Sequence, residues 1–352
     1  FNGSFFNEGD VPLTNSLESW GQELTGFQTP NWSLDPADQG TTVPYSANPG
    51  RFTDFMQTGS TKAYNISART GSKLSQLYFG YTFENRVGIM PGNELKRHNI
   101  SLKGSQKFLN EKLVLDAKVN YIRSDLYNEV GRGPWGLVYN IPTNIRISDL
   151  RNYEFVDADG NLKQNSYSPG ASLGQNPFWL ANRNLNEQVD NRILSYASLT
   201  YNFTDKLKLM ARSAFENSAT TYDIRNYNDT YIIAPNGNYG TQNNQRYDWN
   251  SDFLLSYEDN ISEDFNFNVN FGGNNRQVSG KNLLTNNNGL SVPNLFAVSN
   301  AINLQVTEGI DRKEVQSLYS FGQLGYKDAI FLDLTYRNDW SSTLPEQNRS
   351  FG

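Results

Sequence analysis

The clearest pattern along the chain is a strict alternation of apolar and polar residues over positions 264–271, which read D-F-N-F-N-V-N-F. Every second residue from Phe265 to Phe271 is Phe or Val, and the residues between them are Asn. Successive side chains of a strand point to opposite faces, whereas a helix would mix the two sets. This segment therefore predicts a β-strand with one apolar face and one polar face.

The same period of two recurs along most of the chain. Near the end, Leu332, Leu334 and Tyr336 alternate with Asp333 and Thr335. The segments that share the pattern are 62–70, 75–83, 97–108, 112–123, 193–203, 206–216, 249–257, 329–340 and, less cleanly, 315–326. Together they predict an all-β protein with about ten strands.

The predicted connections between these strands alternate between short and long. The short turns are 71–73, 109–111, 204–205, 260–263 and 327–328, and the long polar stretches are 9–60, 84–95, 126–189, 223–245 and 279–311. Outer-membrane barrels have short periplasmic turns and long extracellular loops. We therefore expect a transmembrane antiparallel β-barrel whose five long stretches are extracellular. Asp159-Gly160 and Asn236-Gly237 are tight-turn signals, so the stretches that contain them are expected to be folded.

Composition excludes several classes of function. The chain has no cysteine and a single histidine, His98, which leaves no thiolate site and no histidine-based triad, so an enzyme is not expected. The net charge is −6 with no cluster of Lys and Arg, which argues against nucleic acid as a partner. The chain contains no apolar run of about twenty residues, so no membrane-spanning helix is predicted. Barrel strands alternate between apolar and polar residues and would not produce such a run.

Three stretches of the chain carry recognisable motifs. They are N-P-G-R-F-T-D-F-M-Q-T-G at Asn48–Gly59, the G-I-M-P loop and following arginine within Tyr78–Leu102, and Y-K-D-A-I-F-L-D-L-T-Y-R-N-D-W-S-S within Leu318–Ser342. In these stretches the chain resembles the SusC/RagA family of TonB-dependent outer-membrane transporters. The resemblance covers the chain from about residue 48 onward. Two departures are Arg69-Thr70-Gly71, where a Gly-Gly turn is commoner, and the inserted Lys327. Neither changes the alternation.

The resemblance implies that residues 1–352 form about half of a 22-stranded barrel, with the plug domain and the C-terminal strands outside this chain. It also implies a bacterial outer-membrane location, a SusD-like surface lipoprotein as partner and coupling to the TonB complex through the absent N-terminal region. The imported substrate would be an oligosaccharide or a peptide. A passive porin or secretion-type channel is the alternative, and a soluble carbohydrate-binding β-protein is a third possibility. Because half of a barrel keeps two edges, we expect an open, curved wall.

The stretch 126–189 contains the candidate ligand-binding residues. They are the aromatic residues Trp135, Tyr139, Phe178 and Trp179. Exposed rings stack on sugars or hold peptide side chains, but the preferred interpretation is that these rings pack a core of the loop itself or contact the lipoprotein. Asp157, Asp159 and Gly160 faintly resemble a calcium loop, but no glutamate follows at the required spacing, so a hairpin turn is the preferred interpretation.

The polar faces of the predicted strands provide a second set of candidates. If the apolar faces contact outer-membrane lipid, the polar faces line the lumen. The predicted lumen-facing residues are Asn266, Asn268, Asn270, Asp333 and Arg337. The scattered Asp and Glu residues are interpreted as lumen-lining rather than catalytic. Neither a metal site nor a cofactor is predicted.

Overall fold

The computed structural model describes residues 23–128, 133–170, 174–327 and 329–351, without the side chains at positions 51 and 133–135. The described residues form fifteen strands and three α-helices. The strands are β1 (Gln28–Pro30), β2 (Thr42–Pro44), β3 (Ser60–Gly71), β4 (Ser75–Val87), β5 (Glu94–Phe108), β6 (Leu113–Tyr127), β7 (Glu154–Val156), β8 (Leu162–Gln164), β9 (Asn184–Asn202), β10 (Leu207–Thr230), β11 (Ala234–Asn260), β12 (Phe265–Asn286), β13 (Gln305–Tyr326), β14 (Ile330–Ser341) and β15 (Ser350–Phe351). The helices are α1 (Arg51–Phe55), α2 (Gly133–Asn140) and α3 (Pro177–Arg183).

Eleven of the strands form one antiparallel sheet in the order β15-β14-β13-β12-β11-β10-β9-β6-β5-β4-β3. The order follows the chain, because only the small β7–β8 hairpin is inserted between β6 and β9. Within the described ranges, β3 and β15 lie at opposite ends of the sheet and do not pair with each other. The predicted all-β class, the ten predicted strand segments and the open wall are therefore confirmed.

The connections divide the sheet into two ends. Short connections at 72–74, 109–112, 203–206, 261–264 and 327–329 join strands at one edge, which we call the short-turn end. The opposite edge, the long-loop end, carries the connections 88–93, 128–183, 231–233, 287–304 and 342–349. Four of the five connections at the long-loop end are longer than the short turns, as the predicted alternation requires, but the connection 231–233 has only three residues. Several predicted loops were too long.

The predicted loop 223–245 is mostly strand. β10 continues to Thr230 and β11 starts at Ala234, so only three residues connect them. The loops predicted at 84–95, 126–189 and 279–311 likewise shrink to 88–93, 128–183 and 287–304. Polar residues occupy both faces of these strand extensions, which removes the alternation that identified the lower parts. The predicted loop 9–60 contains β1, β2 and α1, and its residues 9–22 lie outside the described residues.

Strand register separates the side chains into two faces, because directly paired residues of antiparallel strands project to the same side. Leu334 pairs with Gly322, which pairs with Val269, and Val269 pairs with Tyr257. This apolar row continues across the sheet and defines what we call the outer face. The neighbouring row, through Thr335, Phe321, Asn270 and Ser256, belongs to the inner face.

The buried core of the molecule lies outside the sheet. The largest fully buried side chains include Trp179 and Tyr167 in the 128–183 connection, and Tyr45 and Phe55 in the segment that precedes β3 at the same end of the sheet. By contrast, Leu334 on the outer face is 68% exposed. The sheet therefore keeps its apolar surface on the outside, which is the arrangement of a barrel wall surrounded by lipid.

Candidate functional site

Two segments at the long-loop end fold into a compact unit, which we call the cap and define as residues 23–59, which precede β3, together with 133–170 and 174–183 of the connection between β6 and β9. Its core joins segments that are far apart in the sequence. The core members from the cap are Trp32, Phe55, Val138, Ile141, Ile145, Ile147, Leu150, Tyr167 and Phe178, and Met90 from the 88–93 connection packs with them. Because hydrophobic side chains from both segments are mutually buried, the cap is a folded structure rather than a set of loose loops.

Asn165 fastens the two segments of the cap together. Its side-chain oxygen accepts a hydrogen bond from the backbone N–H of Leu34 at 2.8 Å. Its amide nitrogen donates to the Ser33 hydroxyl and to the backbone carbonyl of Asn152, both at 2.9 Å. Asn165 is fully buried, so the loss of these partners would leave polar atoms unsatisfied in the cap interior.

Asn176 makes a second set of buried hydrogen bonds, at the start of α3. Its side-chain oxygen accepts from the backbone N–H of Phe178 at 2.9 Å and so caps the helix, with Pro177 at the first helical position. Its amide nitrogen donates to the carbonyls of Leu150 (2.8 Å) and Asn165 (2.9 Å). The N-P-F-W motif thus starts a short helix whose aromatic residues point into the cap.

The cap is hydrogen-bonded to the tip of the β10–β11 hairpin. The Trp179 indole donates to the Thr230 hydroxyl at 2.9 Å, and the Gln164 backbone N–H donates to the Asp229 carboxylate at 2.7 Å. The Gln164 side chain donates to the Asp229 carbonyl at 3.0 Å. Burial raises the pKa of Asp229, and the hydrogen bond from Gln164 opposes that shift. The cap therefore sits on the tallest hairpin of the wall.

Arg183 connects the end of α3 to β7 and β10. Its guanidinium donates two hydrogen bonds to the Glu154 carboxylate, each at 2.6 Å, and lies 4.9 Å from the centre of the Tyr227 ring. The Tyr153 ring centre is 5.7 Å away. The Glu154 hydrogen bond raises the pKa of Arg183. The guanidinium, held between the Glu154 carboxylate and the two rings, therefore joins the cap to β10.

The candidate aromatic residues fall into different environments. Phe178 and Trp179 are buried in the cap, at 4% and 0% exposure. This placement corrects the expectation that they contact ligand directly, because neither ring is exposed on the surface of the cap. Tyr139 is 68% exposed and stays a candidate contact, and Trp135 lies in α2 with its side chain outside what the structure describes.

The suspected calcium loop forms the turn of the β7–β8 hairpin. The Asp157 carboxylate accepts hydrogen bonds from the backbone N–H groups of Asp159 (3.0 Å) and Asn161 (2.8 Å). These bonds to the ionised form lower the pKa of Asp157. Gly160 has a positive φ of 82°, which the tight turn requires. The described residues contain no cluster of three potential metal ligands.

The predicted lumen residues share the inner face. Asn268 pairs with Gln323, which pairs with Asp333, and the Gln323 amide donates to the Asp333 carboxylate at 2.9 Å. Arg337 lies four residues after Asp333 on β14 and therefore on the same face, and its guanidinium contacts the Asp339 carboxylate at 2.9 Å. The remaining predicted members of this face, Asn266 and Asn270, lie on either side of Asn268. The register therefore brings all five side chains to one polar surface.

Sequence reasoning missed the ion pairs that run across this surface. Arg212 on β10 holds Asp252 on β11 through two hydrogen bonds, at 2.9 and 3.0 Å. Arg276 donates to Asp248 at 3.0 Å, and a nitrogen of Arg192 lies 2.7 Å from the Glu216 carboxylate. The strand register creates these pairs, and only the polar positions of each strand were visible beforehand. In these three pairs the guanidinium groups are more exposed than the carboxylates, so the inner face presents hydrogen-bond donors.

No protein-family model matches the chain, and no curated protein sequence does so. Solved structures match the chain, among them three with TM-scores above 0.6. A structure of the RagAB peptide transporter matches 87% of this chain and 35% of that chain, with a TM-score of 0.72 and 16% identity. The RagAB peptide importer matches in its closed-closed state (TM-score 0.71, 87% and 34% covered) and in its open-open state (0.68, 86% and 34%), again with 16% identity.

These matches confirm the fold that the resemblance to SusC/RagA transporters implied. The chain spans about a third of the length of the structures it matches. Among the described residues, none of the helices has the length and apolar character required to cross a membrane.

Proposed function

We propose that this chain forms a section of the barrel wall of a bacterial outer-membrane transporter that imports oligosaccharides or peptides. In this proposal a SusD-like surface lipoprotein assists uptake, and the TonB complex supplies energy through a region outside this chain. The observation that carries the proposal is an eleven-stranded sheet with an apolar outer face, a polar inner face and a folded cap at one end.

The outer face supports a location in a membrane. Leu334, Ile66 and Tyr64 are each more than 60% exposed, and they belong to an apolar surface that crosses the whole sheet. A soluble protein rarely exposes such a continuous surface. The twelve residues of β14 extend about 40 Å along the strand, or about 30 Å along the membrane normal at a tilt near 40°. That height matches an apolar band of about 25 Å, so the soluble carbohydrate-binding alternative is disfavoured.

The size of the wall supports active import over a passive pore. The two free edges of the sheet must pair with further strands, because unpaired backbone groups are costly in hydrocarbon. Eleven strands that occupy about a third of the RagAB transporter chain fit half of a 22-stranded barrel. Barrels of that size have a plugged lumen, and the inner-face ion pairs offer polar contacts to such a plug. A plugged barrel needs energy to open, whereas a porin does not.

The cap is the region of this chain most suited to meet substrate and partner. It stands at the long-loop end, where exposed Tyr139 and the exposed Ile232 and Ile233 at the tip of the β10–β11 hairpin form part of the surface. A surface lipoprotein seated over the barrel would contact this end. The inner-face arginines would then be reached by substrate only after it has passed the cap.

Uptake by cells that carry the full-length protein tests the proposal. The labelled probes are a peptide mixture and a set of malto-oligosaccharides, and uptake is measured with and without TonB. We expect uptake of one probe class to fall at least tenfold when TonB is deleted, because a plugged barrel opens only when it is energised. Uptake that is unchanged without TonB would instead identify a passive channel and reject the proposal.

A further inference from the structure

One strand of the wall stands higher than its neighbour at the long-loop end. β13 pairs with β12 along its whole length, from Gln305 to Tyr326. On its other side, β14 pairs only with residues from Val315 to Tyr326. The first residue after β14 adds one more contact, in which the Ser342 N–H donates to the Glu314 carbonyl at 2.9 Å. Residues 305–313 therefore have one unpaired edge among the described residues, which we call the free β13 edge.

The direction of the backbone groups along this edge follows from the register. Glu314 directs its carbonyl toward Ser342, and its N–H donates to the Ser342 hydroxyl at 2.9 Å. The β12–β13 ladder is continuous and has no bulge, so backbone groups alternate sides strictly. The N–H and C=O groups of the alternate residues thus point to the free side. These residues are Val306, Glu308, Ile310 and Arg312, and they span about 20 Å along the strand.

The neighbouring hairpin does not cover this edge. After β14 the chain turns within 342–349, and β15 then pairs with Asp339 and Trp340 on the far side of β14. Any strand that follows β15 in the sheet would lie beyond β14 and could not reach residues 305–313. All nine residues of the edge are exposed. The segment also contains neither a proline nor a bulge, which are common ways to block an exposed edge.

We propose that the free β13 edge binds an extended peptide, which adds to the sheet as a further strand. This inference rests on the proposed import function and assigns its substrate class as peptide rather than oligosaccharide. A polypeptide presents N–H and C=O groups that repeat every two residues, about 6.6 Å apart, and these match the four outward-facing residues of the edge. Sugar hydroxyls have no such repeat. Backbone recognition also accepts varied sequences, as an importer of mixed peptides requires.

Side chains beside the edge suit a peptide as well. Val306 and Ile310 are exposed and project to the same face, where they can contact alternate side chains of an added strand. Glu308, between them, is already paired with Lys281 at 2.6 Å, so it presents no uncompensated charge to the peptide.

The test uses the full-length protein in detergent and a fluorescein-labelled decapeptide that alternates Val with Thr, Lys and Glu. The double variant Glu308→Pro/Ile310→Pro removes two outward N–H groups without breaking the β12 ladder, because proline is tolerated where the N–H faces away from the sheet. We expect its affinity for the decapeptide to fall at least tenfold. The matched control Glu308→Ala/Ile310→Ala keeps both N–H groups, and its affinity should change less than about threefold.

A second measurement does not depend on how the variants fold. In the wild-type protein, the decapeptide should slow amide hydrogen exchange in residues 305–313, whereas a decapeptide N-methylated at alternate residues should not. Maltoheptaose should neither slow exchange nor compete with the peptide. The inference is overturned if the wild type binds no decapeptide, if exchange in this segment is unchanged, or if the proline variant binds as tightly as the alanine control.

The failure of this inference can be told apart from failure of the proposed function. TonB-dependent uptake of malto-oligosaccharides, with no protection of residues 305–313 by peptide, would overturn the strand-addition site and leave active import standing. If peptide slows hydrogen exchange in residues 305–313 but uptake does not depend on TonB, the binding site is supported and active import is rejected.

Discussion

Replacement of Trp179 by alanine is expected to destabilise the cap by about 3–5 kcal/mol, the usual cost of deleting a large buried aromatic side chain. The indole is fully buried among Leu137, Leu180 and their neighbours. Its N–H also donates to the Thr230 hydroxyl at 2.9 Å, so the variant loses packing and a link to the wall at once. Amide hydrogen exchange in the cap of the full-length protein measures the free energy of this local opening.

Tyr139→Ala is the matched control for that experiment. Tyr139 is also an aromatic residue of the cap, but it is 68% exposed, and truncation there should cost less than about 1 kcal/mol. Exchange in the transmembrane region of the sheet should be unchanged in both variants. If the two substitutions destabilise the cap equally, Trp179 is not a core residue and the cap does not have the structure described.

Replacement of Leu334 by arginine is expected to destabilise the barrel by about 2–4 kcal/mol, the cost of a cation near the middle of the lipid-facing surface. Leu334 lies midway along β14 on the outer face. Phe267→Arg on β12 should have a similar effect, since Phe267 shares that face. Denaturant unfolding of the full-length protein, refolded into lipid vesicles, measures the change.

The neighbouring residues provide controls, because a shift of one position moves a strand side chain to the opposite face. Thr335→Arg and Asn268→Arg place the same charge on the polar inner face and should cost much less. Equal costs at the two positions of each pair, or the reverse order, would mean that the inner and outer faces have been assigned the wrong way round.

The faces of the sheet could be predicted because alternation is a local property of the sequence. The segment that starts at Phe265 sorts its side chains by residue type alone, and the register places Asn268 and Asp333 on one face as expected. The upper half of β10 escaped prediction because T-T-Y-D-I-R-N-Y has polar residues on both faces. Where a strand extends beyond the lipid, water contacts both of its faces. Its sequence then no longer alternates between apolar and polar residues.

The cap could not be predicted because its core depends on distant partners. The sequence N-P-F-W is the same whether its rings are buried or exposed, and burial of Phe178 is decided by residues such as Phe55, whose ring centre is 4.9 Å away. The Arg212–Asp252 pair joins positions 40 residues apart and appears only when the register is known. Sequence pattern alone therefore could not show that Phe178 and Trp179 are buried in the cap whereas Tyr139 is exposed.

The measurement that tests the central claim most directly is the accessibility of single cysteines on intact cells. Residues 1–352 contain no cysteine, so Asp159→Cys in the exposed β7–β8 turn and Lys112→Cys in an exposed short turn each introduce a unique thiol into this region of the protein. If the sheet crosses the outer membrane with its long-loop end outside, a membrane-impermeant maleimide will label position 159 on intact cells. Position 112 will react only after the outer membrane is permeabilised. Labelling of position 112 on intact cells would contradict the account.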